Sequence, residues 1–104
     1  MIDLDLCYTP TTELARRVRS RGLSPVELMK NTLARIEQVN ARLNCFCFVY
    51  PEEAMGLARD AERALMGGAE LGPLHGIPVA IKDVTPTAGK TTTRGSAMSK
   101  AART

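Results

Sequence analysis

Hydrophobic positions in the first part of the chain recur at every third or fourth residue, which is typical of amphipathic helices. A first helix is predicted to open at Thr9 as N-cap, with Pro10 at the first helical position, and to run through Arg19. A second helix is predicted to start at the Ser-Pro-Val-Glu capping box of residues 24–27, and its apolar stripe continues to Leu43. Together these segments predict a helical hairpin at the start of the chain.

The next part of the chain alternates between strand and helix patterns. Residues 44–50 are dense in β-forming residues and end at Pro51, which predicts a strand. A third helix should begin at residues 51–53 and end at the glycine pair 67–68. Residues 77–81 form an apolar run without polar alternation, which is typical of a strand covered on both faces in an α/β sheet.

This order of elements predicts an α/β fold, in which the helical hairpin of residues 1–43 precedes a β-α-β segment over residues 44–104. A strand-helix-strand unit is a right-handed crossover that places both strands in one parallel sheet. Two strands cannot bury Val79 and Ile81 on both faces of a sheet. We therefore expect the domain to be truncated in this chain, with the neighbouring strands of Val79 and Ile81 missing from it.

Lys82 is the residue that directly follows the second apolar run. In open α/β sheets, ligand sites lie outside the carboxyl ends of the strands, so a charged residue at this junction is a candidate for chemistry. The alternative is that Lys82 reaches solvent beside Asp83, as many lysines at strand ends do.

A longer motif surrounds this lysine. Residues 72–83 read Gly-Pro-Leu-His-Gly-Ile-Pro-Val-Ala-Ile-Lys-Asp, and Ala-Gly at 88–89 and Thr-Thr-Arg-Gly-Ser at 92–96 follow. This order resembles the start of the amidase signature family of amide hydrolases. The resemblance implies the mixed-sheet fold of that family and a Ser–cis-Ser–Lys triad, in which Lys82 matches the catalytic lysine that acts as general base through a bridging serine. Such a lysine must be held neutral by desolvation or by neighbouring positive charge.

The serines of that triad have no match in this chain. In the family they lie downstream in a stretch of the type Gly-Gly-Ser-Ser-Gly-Gly-Ser, which the sequence does not contain. Ser96 matches a serine outside the triad, and Ser99 matches none. The resemblance thus implies a fragment of an amidase that hydrolyses carboxamide C–N bonds, holds only the lysine and is inactive alone. Its implied partners are a small-molecule amide and the missing C-terminal portion of the fold, with no cofactor.

Two other functions are compatible with the same residues. Within the family, the chain could be a fragment of the A subunit of a glutamyl-tRNA(Gln) amidotransferase. Outside catalysis, the helical hairpin could be an interaction module that forms a homodimer. Making Met29 and Leu33 polar would abolish such a dimer.

Charge and hydropathy argue against nucleic-acid and membrane partners. The net charge is +3, from 14 basic and 11 acidic residues. The densest basic group is expected near the end of the first helix and comprises Arg16, Arg17, Arg19 and Arg21. Cations at this end of a helix complement its dipole. No aromatic residues lie between these arginines, as they would in a surface that stacks on bases. Apolar runs are too short to span a bilayer and the N-terminus is acidic, so we expect a cytoplasmic protein.

Cysteine and histidine give little indication of a metal site. Cys45 and Cys47 flank one residue, and only the distant Cys7 and His75 remain as further ligands, whereas a tetrahedral site needs four. We expect buried thiols that behave as small hydrophobic groups, and a structural hydrogen bond for His75.

The loop after Lys82 contains a false phosphate-binding pattern. Gly-Lys-Thr at residues 89–91 resembles part of a P-loop, but Val84 stands where that motif requires glycine. Pro86 and Lys90 depart from the residues that are common at these positions in the amidase signature family. Pro86 stiffens the loop, and Lys90 adds charge near the site.

Overall fold

The computed structural model describes residues 2–68, 70–83, 85 and 87–90. Within these residues the backbone forms four helices, namely α1 (Leu4–Cys7), α2 (Thr11–Arg19), α3 (Pro25–Leu43) and α4 (Pro51–Met66). Helix α3 packs against α4, and α1 packs against α3. A helix of the length and apolarity needed to cross a membrane does not occur in the described part of the chain.

Local hydrogen bonds define both ends of α3. The hydroxyl oxygen of Ser24 accepts hydrogen bonds from the backbone N–H groups of Val26 and Glu27, at 3.1 and 3.3 Å. Pro25 occupies the first helical position, as the sequence predicted. At the other end, Asn44 adopts a left-handed conformation with φ 50° and ends the helix.

The start of α2 differs by one residue from the prediction. Pro10, rather than Thr9, is the N-cap, and its carbonyl oxygen accepts from the N–H of Leu14 at 3.0 Å. The hydroxyl of Thr9 donates instead to the carbonyl oxygen of Asp5 at 2.7 Å. Thr9 therefore completes the turn after α1, which leaves its side chain unavailable to α2.

The hydrophobic core brings together α2, α3 and α4. Its buried members come from all three helices and are Leu14, Val18, Leu28 and Leu65. Partly buried side chains from α1 and from the segments that connect or follow the helices surround them, namely Leu6, Leu23, Leu71 and Ile77. Val18 is 1% exposed, so the helices and the segments packed on them close the middle of this core to solvent.

The predicted β-α-β segment is wrong for the described part of the chain, which is helical and contains no strand. A strand needs a neighbouring strand to satisfy its backbone groups. In residues 44–50 a side chain takes that place: the N–H of Phe46 donates to Asn40 Oδ1 at 2.9 Å, and Asn40 Nδ2 donates to the carbonyl oxygen of Phe46 at 3.2 Å. The α/β class is thereby corrected to an all-helical arrangement of the described residues.

Residues 77–81 also differ from the predicted buried strand. Ile77 packs against the core, but the side chains of Val79 and Ile81 are 66% and 59% exposed. A continuous apolar run predicts burial only where other segments cover both of its faces. Among the described residues, no segment covers these two side chains.

Candidate site around Lys82

Lys82 lies on the surface, in a turn rather than at the end of a strand. Its carbonyl oxygen accepts a hydrogen bond from the N–H of Thr85 at 2.9 Å. The neighbouring Asp83 is half-buried, and the apolar residues before the lysine are exposed. The position of Lys82 therefore depends on how the chain on either side of it is held.

On the N-terminal side, two side chains hold the loop that follows α4. The Nε2–H of His75 donates to the carbonyl oxygen of Ala61 in α4 at 2.8 Å. Arg19, at the end of α2, donates from Nη2 to the carbonyl oxygen of Gly72 at 3.3 Å. The structural hydrogen bond expected for His75 is thus present, and it attaches this loop to α4.

Gly76 lets the same loop approach the start of α3. Its φ is +77°, a conformation that glycine adopts without strain and other residues rarely adopt. A Cβ atom at this position would lie 3.0 Å from Cγ of Pro25 and 3.3 Å from Cγ1 of Val18. The loop that leads to Lys82 is therefore in close contact with the core.

On the C-terminal side, Lys90 attaches the loop to the beginning of α4. Its ammonium group forms an ion pair with the carboxylate of Glu53 and lies 4.1 Å from the ring centroid of Tyr50. Phe48 stacks on Tyr50 with ring centroids 6.4 Å apart. Sequence reasoning noted the added charge of Lys90 but missed both partners, because they come from a distant part of the chain.

The cysteines are placed differently from the prediction of buried thiols. Cys45 and Cys47 are exposed and Cys7 is half-buried. The first two lie in the unpaired segment between α3 and α4, where no sheet covers them. Clusters of three or more side chains able to hold a metal ion are absent from the described part of the chain.

Several residues of the predicted site lie outside the described residues. These are Val84, Pro86, Ser96 and Ser99. Within the part that the structure describes, the candidate site consists of Lys82 on its turn and the contacts on either side that attach the surrounding loop to α2, α3 and α4.

Comparison with known proteins defines the class of this chain. The family model described as Amidase matches residues 27–104. The chain therefore belongs to the Amidase family, which confirms the resemblance found around Lys82. No solved structure matches the chain.

Individual relatives carry two different names. The chain is 40% identical over 86 residues to the putative amidase AmiD of Mycobacterium tuberculosis, covering 78% of this chain and 18% of the relative. It is 44% identical over 81 residues to a glutamyl-tRNA(Gln) amidotransferase chain of Geobacter metallireducens, covering 78% of this chain and 16% of the relative. With the protein of the same name from Salinispora tropica, identity is 42% over 92 residues, 88% of this chain and 19% of the relative. The chain thus spans less than a fifth of each relative.

Proposed function

We propose that this chain contributes Lys82 as the general base of an amidase that hydrolyses carboxamide C–N bonds. The observation that carries the proposal is the family match over residues 27–104, which includes the motif around this lysine. The nucleophilic and bridging serines have no match in the chain and come from the remainder of the enzyme. The chain alone is therefore inactive.

The chemistry requires a neutral amine at Lys82. The amine accepts a proton from the bridging serine as that serine takes the proton of the nucleophilic hydroxyl, whose oxygen attacks the carboxamide carbon. As the C–N bond breaks, the bridging serine donates one proton to the leaving nitrogen and recovers its own from the lysine, which becomes neutral again. Water then hydrolyses the acyl-enzyme. Burial favours the neutral form of a lysine, whereas Lys82 is exposed here. We therefore propose that the remainder of the fold covers Lys82.

A transamidating enzyme is the second candidate, because relatives named as glutamyl-tRNA(Gln) amidotransferase chains are as similar to this chain as AmiD is. The same acyl chemistry would then release ammonia from a carboxamide for transfer to glutamyl-tRNA(Gln). The dimerising hairpin has less support, since Met29 and Leu33 are already half-buried within the single chain.

Fragment complementation tests the proposal. The chain is mixed with the part of the M. tuberculosis AmiD relative that it does not match, and ammonia release is measured from benzamide, propionamide and glutamine. We expect hydrolysis only when both pieces are present. Glutamine as the preferred substrate would favour the transamidating enzyme.

Lysine variants identify the base in this assay. Lys82→Ala and Lys82→Arg should each lower kcat by about 100-fold or more, since general-base catalysis contributes roughly 10²–10⁴-fold and arginine stays charged. Lys30→Ala, which removes an exposed lysine from α3, should leave the rate unchanged. Hydrolysis that survives Lys82→Ala would disprove the base role.

A further inference from the structure

The stretch between His75 and Lys90 is attached to α4 at two places. His75 donates to the carbonyl oxygen of Ala61, and Lys90 pairs with Glu53 in the first turn of the helix. Glu53 and Ala61 are about two turns apart, roughly 12 Å along the helix axis at 1.5 Å per residue. Lys82 lies near the middle of this stretch in sequence. Both attachments are made to one rigid element, so together they define where the stretch begins and ends in space.

The C-terminal attachment rests on one ammonium group that has two partners. Lys90 lies between the carboxylate of Glu53 and the ring of Tyr50, and its side chain is 27% exposed. An exposed ion pair or an exposed cation–π contact is weak alone. Here both act on the same side chain, and loss of either would weaken the attachment.

Short-range hydrogen bonds connect Lys90 back to Lys82. The N–H of Lys90 donates to the carbonyl oxygen of Thr87 at 3.0 Å, and the N–H of Thr85 donates to the carbonyl oxygen of Lys82 at 2.9 Å. The hydroxyl of Thr87 donates to the carbonyl oxygen of Thr85 at 3.4 Å. These short-range bonds link the anchored end of the loop to the turn that carries Lys82.

We propose that Lys90 is a positioning residue for Lys82. By binding Glu53 and Tyr50, it holds the C-terminal end of the loop on α4, and this restricts the turn at Lys82. The importance of this positioning for catalysis rests on the role proposed above for Lys82, but the attachment itself is measured without substrate. Lys90 of the Gly-Lys-Thr pattern thereby has a proposed role other than phosphate binding.

Nuclear magnetic resonance of the full chain tests the attachment. The Cε protons of Lys90 should be shifted upfield by the ring current of Tyr50, and the shift should disappear in Tyr50→Leu. In Glu53→Gln the shift should decrease, and amide exchange of Thr85 should rise roughly two- to fivefold, as expected for the loss of one exposed ion pair. Lys90→Arg keeps the positive charge and should leave amide exchange of Thr85 near the wild-type rate. Lys90→Gln removes the charge and should raise that rate.

Glu52→Gln is the matched control, because it removes the same charge from the same helical turn. It should leave the Lys90 shift and Thr85 exchange unchanged, and amides within α3 should be unaffected in every variant. Unchanged Thr85 exchange in Glu53→Gln would overturn the proposal. An equal rise in Glu52→Gln, or a parallel rise across α3, would also overturn it. Because no substrate is used, these results and those of the ammonia assay can fail independently.

Discussion

Gly76 and Pro25 approach so closely that a Cβ atom on Gly76 would lie 3.0 Å from Cγ of Pro25. Pro25 is the first residue of α3 and is buried, so it cannot move aside without disturbing the helix start. The backbone of Gly76 thus packs directly against the side chain of Pro25, which joins the loop before Lys82 to the core.

Gly76→Ala should therefore destabilise the fold. The methyl group would meet Pro25, and alanine is strained at φ +77°, at a cost of about 1–3 kcal/mol. The free energy of unfolding, followed by circular dichroism in urea, measures the change. Gly72→Ala is the control, since its Cβ would have no atom within 4 Å, and it should be close to neutral. Equal losses in both variants would contradict the close approach.

Ser24 links the start of α3 to α4, because its hydroxyl caps α3 and also donates to the carboxylate of Glu62. Ser24→Ala removes both interactions and should lower the free energy of unfolding by about 1–2 kcal/mol. Ser20→Ala removes an exposed hydroxyl that bonds only the end of its own helix, and should change the free energy of unfolding by less than about 0.5 kcal/mol. A Ser24→Ala effect no larger than that of Ser20→Ala would contradict this assignment.

Asn40 should protect the backbone of Phe46 from exchange with solvent. Asn40→Ala removes both hydrogen bonds, so the amide of Phe46 should exchange roughly five- to tenfold faster, as expected for a loss near 1 kcal/mol. Asn40→Asp keeps the acceptor for the Phe46 N–H and should retain most of the protection. Hydrogen exchange followed by nuclear magnetic resonance distinguishes the two variants. Identical exchange rates of the Phe46 amide in wild type and Asn40→Ala would refute a protective role for the two hydrogen bonds.

Acid should destabilise the first part of the chain through Glu13. Hydrogen bonds from Arg16 and then Arg17 lower the pKa of Glu13 from 4.5 to about 2. Because the unfolded chain binds this proton more readily, the stabilisation is complete above the unfolded pKa and is lost as the pH falls through the folded one. The thermal midpoint of the wild type should thus fall further between about pH 5 and about pH 2 than that of Glu13→Gln. Parallel curves for the wild type and Glu13→Gln would contradict the pKa shift.

Much of the local structure could be predicted from the sequence. The start of α3 at Ser24 and the end of α4 at the glycine pair follow from caps that act over a few neighbouring residues. Lys82 and the family were also recognisable, because the motif of residues 72–83 is contiguous. The strands were not predictable in this way, because a strand exists only where a second segment pairs with it.

The sequence by itself thus determined the main helices, the family and the candidate base Lys82. Only the tertiary structure decided that Lys90 pairs with Glu53 and that Ser24 binds Glu62. The physical reason is the range of the interactions. Helix caps and periodic burial are set by residues within a turn or two, whereas strand pairing, ion pairs and the exposure of Val79 depend on segments brought together by folding.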